Sequence, residues 1–191
     1  GIGVTASLII GYPQETREDL RSTLLCAFEL FRPHPSRFAT GEIVVQIPFF
    51  APLAGTPILA QSAGGFAFDG VPPSVVELGE SKTVTPEVSE LVTAHPEIFI
   101  AHYHPVETEI TRQDYIAIMH VTSELSNQPK LMRFLSENHA VQFVDFLLTP
   151  GLCSFLGPSQ AITTQAILAA FMDRPRIWSA WSRPAVQQPA W

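Results

Sequence analysis

Cysteine, basic residues and long apolar runs are all scarce in this chain of 191 residues. The two cysteines, Cys26 and Cys153, lie far apart and form no disulfide framework, so we expect a reducing, cytoplasmic location. No run reaches about 18 consecutive apolar residues, and we therefore expect no transmembrane helix and no membrane partner. The 11 basic residues, the net charge of -7 and the lack of a basic cluster argue against a nucleic-acid partner.

The balance of apolar and charged residues indicates a folded chain. Hydrophobic residues make up 46% and charged residues 15%, which is typical of a globular protein and not of a disordered one. This charge content is low for a complete soluble surface, where about 25% is usual. The length suffices for one domain with a substantial core.

The stretch from residue 3 to residue 24 predicts a strand, a turn and a helix. The apolar run that ends at Ile10 is typical of a strand covered on both faces. Gly11 and Pro13 end this strand, and Thr16 is a good N-cap for a helix with an apolar face. In such βα units, ligands bind at the carboxyl ends of the strands.

A second strand is predicted over residues 42–50, where β-branched and aromatic residues dominate. Gln46 is polar within this run, so it either has a buried partner or faces a ligand. A turn at residues 54–57 precedes a short helix, and a connector rich in Gly, Pro and Ser follows. We place a boundary at about residue 70 within this connector.

The rest of the chain predicts helices. Thr85 and Thr111 are N-caps, Pro129 begins a further helix with a break near His139, and Ser159 caps the last one. The expected organisation is residues 1–70 as an α/β part, residues 71–173 as a helical region and residues 174–191 as a Pro- and Trp-rich tail.

Two motifs carry a resemblance to a known family. Residues 11–16 read GYPQET after an apolar strand, and residues 52–58 read PLAGTPI after the next strand. This order resembles the later part of the barrel in radical S-adenosylmethionine (SAM) enzymes, closest to those that often carry a cobalamin-binding domain. The similarity covers residues 3–60, with Gln14 where glycine is commoner in the family.

The resemblance implies a fold and a set of site residues. The two strands would be the last two of a partial (β/α)6 barrel, followed by a mainly helical C-terminal region. Ile9 would pack on the adenine of SAM, and the backbone at Gly11 and Tyr12 would border the same cofactor. Glu15 would cap the following helix or bind nearby backbone, and Gln46 and Pro48 would lie near cofactor or substrate.

The chain departs from this family in one essential feature. A [4Fe–4S] cluster needs three cysteine thiolates, usually from CxxxCxxC, and neither Cys26 nor Cys153 lies in such a motif. We therefore expect a C-terminal fragment that lacks the N-terminal half of its barrel and is inactive alone. Its parent would be a radical SAM enzyme, with cobalamin as a further cofactor that the resemblance allows. The small-molecule or peptide substrate is not identified.

Two alternatives stay open. His102 and His104 form an HxH pair whose rings would share one face of a strand, which is a weak signal for a metal-dependent hydrolase. A polar surface loop without metal is the favoured interpretation of the same residues. The third hypothesis is a non-catalytic helical module that binds a partner.

Overall fold

The structure is a computed structural model that describes residues 4–32, 43–61, 65–70, 84–106, 108–150 and 164–172. Cys153, the predicted cap Ser159, most of the connector and the tail of residues 174–191 lie outside the described residues. The described part is mostly helical and contains two small sheets of two strands each.

The first strand and helix form as the sequence predicts. Strand β1 spans Val4–Ser7, and helix α1 spans Arg17–Phe31. Thr16 caps α1 with a capping box: its hydroxyl accepts from the backbone N–H of Asp19 over 3.2 Å, and the Asp19 carboxylate accepts from the N–H of Thr16 over 3.0 Å. Both bonds satisfy N–H groups that a helix start leaves without partners.

Strand β2, Ile43–Gln46, lies parallel to β1 and completes a β–α–β unit. Ala6 is opposite Val45 in the register, and the pairing continues past β1 to a bridge between Ile10 and Phe49. Parallel neighbours need a crossover connection, and α1 lies within it.

The two faces of this sheet differ in burial. Ile10, Val45 and Phe49 are buried on the face that α1 covers. The opposite face, here called the bare face, carries the alternate residues Thr5, Ser7, Ile9, Val44, Gln46 and Pro48, and only Pro48 among them is not exposed. The expectation that β1 is covered on both faces is therefore wrong for the described residues. The physical reason is that, within the described ranges, helices cover only the other side of this sheet.

Short elements connect the sheet to the helical region. Helix α2 spans Pro57–Gln61, and strands β3, Phe66–Ala67, and β4, His104–Pro105, pair antiparallel. Between β3 and β4 the described chain forms α3, Pro86–Ala94, then α4, Pro96–Phe99, and a 3-10 helix, Ile100–His102.

Four more helices follow in the part of the chain that the structure describes. They are α5, Arg112–Ser126; α6, Pro129–Asn138; α7, Ala140–Leu147; and α8, Thr164–Met172. Thr85 and Thr111 cap α3 and α5 through their hydroxyls, and His139 separates α6 from α7, all as predicted. None of the described helices is both long and apolar enough to cross a membrane.

One hydrophobic core joins the β–α–β unit to the helical region. Helix α1 packs on α6 and α7, and Phe28 meets Phe143 edge to face with ring centroids 5.7 Å apart. The core contains Ile10 and Phe49, which follow β1 and β2, and apolar residues of α1, α5, α6, α7 and α8. The sheet thus packs against helices. The partial (β/α)6 barrel stays a prediction, because each described sheet has two strands.

Candidate functional site

The candidate site lies where the chain leaves β1 and turns into α1. Gly11 is buried there with a backbone φ of +79°, the left-handed region that favours glycine. A Cβ placed on Gly11 would lie 2.4 Å from Cε2 of Phe49, so the ring occupies the space that a side chain would need. Glycine is therefore required here by conformation and by contact.

The next residues form a tight turn. The N–H of Glu15 donates to the carbonyl of Tyr12 over 3.1 Å, and Pro13 and Gln14 are the two central residues. Gln14 has a φ of +67°, as the third position of a type II turn demands. A residue other than glycine adopts that φ with strain.

The buried side chain of Glu15 stabilises this turn by accepting hydrogen bonds. Its Oε2 accepts hydrogen bonds from the N–H of Gly11 over 2.9 Å and from the hydroxyl of Tyr115 over 2.6 Å. The carboxyl group is buried, with 8% of the residue exposed. Tyr115 lies on α5, so the bond ties the end of β1 to the helical region.

Burial raises the pKa of both members of this pair. Loss of water raises the pKa of Glu15, although the bonds from Tyr115 and Gly11 oppose that shift. The pKa of Tyr115 is raised as well, first by burial and then by the neighbouring carboxylate. With two donors on one oxygen, Glu15 acts inside the protein as an acceptor, which agrees with the backbone role expected from the sequence.

Phe49 supports the turn from the side of β2. Its ring meets Tyr115 edge to face at 5.4 Å, and the guanidinium carbon of Arg112 lies 5.3 Å from its centroid. Arg112 also pairs with Asp69, which follows β3. The ring that excludes a side chain from Gly11 is thus itself held by α5.

The predicted cofactor residues divide into those with accessible side chains and those buried under the turn. Ile9, with 42% of its surface exposed, lies on the bare face together with Gln46 and Pro48. Tyr12 is exposed just beyond the strand end and packs on Phe50 with ring centroids 4.7 Å apart. Gly11 and Glu15 are buried beneath the turn and present no side chain to a ligand.

This arrangement offers an apolar wall and a fixed turn. A flat aromatic base could lie against Ile9 and the edge of Tyr12, because both are exposed at the carboxyl end of a parallel strand. The residues do not fit an iron–sulfur cluster, since Cys26 is an exposed cysteine of α1 and a cluster needs three thiolates.

The two histidines of the metal hypothesis are separated. His102 ends a 3-10 helix and stacks on Phe99 at 5.8 Å, so the expected strand geometry for the HxH pair is wrong. His104 lies in β4, where its Nε2 is 3.6 Å from Oδ2 of Asp69. Across the described ranges, no group of three or more His, Cys, Asp and Glu side chains could hold a metal ion.

Sequence reasoning missed the residues that brace the turn. Tyr115 is recognisable from the sequence only as a residue on the apolar face of α5. Its hydroxyl was the available signal, because a buried Tyr usually finds a hydrogen-bond partner. No pattern along the chain identifies Glu15 as that partner. No protein-family model, curated protein or solved structure matches the chain.

Proposed function

We propose that this chain supplies the SAM-side wall of a radical SAM enzyme, together with a helical region that shapes access to the substrate. The observation that carries the proposal is the bare face of a parallel β–α–β unit. Ile9, Gln46 and Pro48, the strand residues that the resemblance assigns to the cofactor, all occupy this face. The pattern is what a barrel strand needs: helices outside and ligand-facing residues inside.

The turn after β1 supports the same function. A cofactor that borders the backbone at Gly11 and Tyr12 requires that backbone to be rigid and close-fitting. The buried bonds from Gly11 and Tyr115 to Glu15 supply this rigidity. In this proposal Ile9 and Tyr12 bind and orient the adenine, and Glu15 positions the turn without touching the reacting atoms.

Radical chemistry would come from elsewhere. Bound SAM, reduced by a [4Fe–4S] cluster, would supply a 5'-deoxyadenosyl radical, but this sequence has two cysteines and no cluster motif. The cluster would have to be contributed by residues outside this sequence, and the chain alone is inactive. Cobalamin and a cytoplasmic location follow from the resemblance and the cysteine content only.

The binding half of this proposal can be tested on the chain itself. S-adenosylhomocysteine, which carries the adenine and a neutral sulfur, should shift the backbone amide resonances of Ile9, Gly11 and Tyr12 in NMR spectra. Because the wall is half of a site, we expect a Kd of about 1 mM, which corresponds to a binding free energy of roughly −4 kcal/mol. Ile9→Asp should abolish the shifts, because a carboxylate there keeps its water and repels the apolar base.

Val141→Asp is the matched control. The exposed fraction of Val141, 47%, is similar to the 42% of Ile9, but Val141 lies on α7 and not on the bare face. It should leave the titration unchanged. Shifts that persist in Ile9→Asp would contradict an adenine wall at the bare face. Independently, an open reading frame for this polypeptide without CxxxCxxC would rule out radical SAM chemistry by this protein.

A further inference from the structure

A cavity of about 360 Å³ lies between β2 and α5, and it shares Gln46 and Pro48 with the proposed cofactor wall but not Ile9 or Tyr12. Residues 44–48 form one wall, and the other consists of Asn127, the C-cap of α5, and the α5 residues Met119, Thr122, Ser123 and Ser126. Side chains of successive strand residues point to opposite faces. A cavity lined by five successive residues therefore follows the edge of the strand.

That edge presents backbone groups without partners. The ladder to β1 uses the carbonyls of Gln46 and Pro48, which accept from Leu8 and Ile10 over 2.9 and 3.0 Å. The N–H and C=O groups of Val45 and Ile47 consequently point to the opposite edge. Within the described part of the chain they form no hydrogen bond. Backbone groups of this kind are strong donors and acceptors that require a partner.

The α5 wall is polar but uncharged. The hydroxyl of Ser126 and the amide nitrogen of Asn127 both donate to the carbonyl of Ser123, over 2.7 and 3.2 Å. After these bonds the hydroxyl of Ser126 can only accept, whereas the amide of Asn127 keeps one N–H donor and its acceptor oxygen. Met119 adds an apolar surface, and none of the described lining residues carries a charge.

We propose that this cavity, the β2–α5 cavity, binds a small neutral planar molecule with an N–H donor next to a carbonyl acceptor. The ligand N–H donates to the carbonyl of Val45, and its carbonyl accepts from the N–H of Ile47, as an added strand would. The volume lies at the small end of ligand pockets, which span roughly 300–1,000 Å³. An ion would find no opposite charge among the described lining residues, and an unpaired buried charge is strongly unfavourable.

The proposal concerns the edge of β2 and not the bare face, so it stands without the SAM proposal. The probe is 2-pyridone, a neutral ring with the required donor and acceptor, titrated into the full chain. We expect saturable NMR shifts of the Ile47 amide with a Kd of about 1 mM, as for a fragment-sized ligand. N-methyl-2-pyridone keeps the ring and carbonyl but lacks the donor, and it should bind at least about tenfold more weakly, or 1.4 kcal/mol.

A matched pair of variants locates the site. Ser123→Phe fills the cavity from an exposed position on α5 and should abolish binding of 2-pyridone. Glu124→Phe adds the same ring one residue along the same helix, at an exposed position outside the cavity lining, and should leave binding intact. Equal affinity for the two pyridones would mean an adventitious apolar contact and overturn the proposal. So would the absence of saturable shifts, or binding that survives Ser123→Phe.

Discussion

The hydroxyl of Tyr115 donates to Oε2 of Glu15 over 2.6 Å and thereby joins residues 100 positions apart in the chain. The same oxygen accepts from the N–H of Gly11, so one buried carboxyl group connects the end of β1, the start of α1 and the first turn of α5. The candidate cofactor wall and the helical region consequently depend on each other.

This bond predicts different outcomes for two substitutions of Glu15. Glu15→Ala leaves two buried donors, the Gly11 N–H and the Tyr115 hydroxyl, without an acceptor, and should lower the free energy of unfolding by about 2–4 kcal/mol. Glu15→Gln keeps an oxygen acceptor of the same length and should change it by less than about 1 kcal/mol. Urea denaturation monitored by circular dichroism measures both. Equal losses in the two variants would show that the bonds to Oε2 do not hold the turn.

The contact between Gly11 and Phe49 predicts the cost of a single methyl group. Gly11→Ala should destabilise the fold by about 2–4 kcal/mol, since a strained positive φ adds to overlap with a packed ring. Gly55→Ala is the control, because Gly55 has a similar φ of +77° with nothing within 4 Å of an added Cβ. It should cost only about 1 kcal/mol of conformational strain. If thermal unfolding gives equal shifts for both variants, the Phe49 contact contributes nothing.

The positive φ of Gln14 predicts that replacing this residue with glycine stabilises the fold. It adopts a φ of +67° at the third position of its turn, where glycine carries no steric penalty. Gln14→Gly should therefore raise the free energy of unfolding by up to about 1 kcal/mol, after the larger entropy of glycine in the unfolded chain is deducted. Gln128→Gly, at an exposed residue with a φ of −125°, should give no such gain. A loss of stability in Gln14→Gly would argue against strain at this position.

His104 predicts a dependence of stability on pH. Burial, and then the positive charge of Arg112, lower its pKa below the usual histidine value of 6.5, while the Pro105 carbonyl and Asp69 oppose the shift. The unfolded chain thus binds a proton more readily than the folded one. The contribution of His104 to stability is complete above pH 6.5 and is lost as the pH falls through the lower, folded-state pKa.

His104→Gln should flatten the decline in the free energy of unfolding below pH 6.5. His120 and His139 also have lowered pKa values because of burial, so part of the decline remains in that variant. His95→Gln, at an exposed position, is the comparison. A pH profile of His104→Gln that coincides with the wild-type profile would contradict the assignment.

Much of the local structure was predictable from neighbouring residues. Thr16, Thr85 and Thr111 cap their helices as the sequence predicts, and the break at His139 is confirmed. The parallel β1–α1–β2 order follows from two apolar runs separated by an amphipathic helix. The caps and the helix break depend on interactions within about one helical turn, so the sequence alone predicts them.

The chemistry of the histidines was less predictable. An HxH pair suggests a shared face only if the segment is a strand, and here His102 ends a 3-10 helix. His104 lies beside Asp69 and Arg112, whose own pairing spans 43 positions. Which histidine is buried, and next to which charge, depends on how β3 and β4 pair.

By itself the sequence determined the strand, the glycine turn and the capped helix, because sterics and capping act over a few residues. Only the tertiary structure decided that Phe49 closes the space at Gly11 and that Tyr115 binds Glu15. It also decided that one face of the sheet is bare. The physical reason is that burial and hydrogen-bond partnership are properties of packed elements distant in sequence, and no local pattern encodes them.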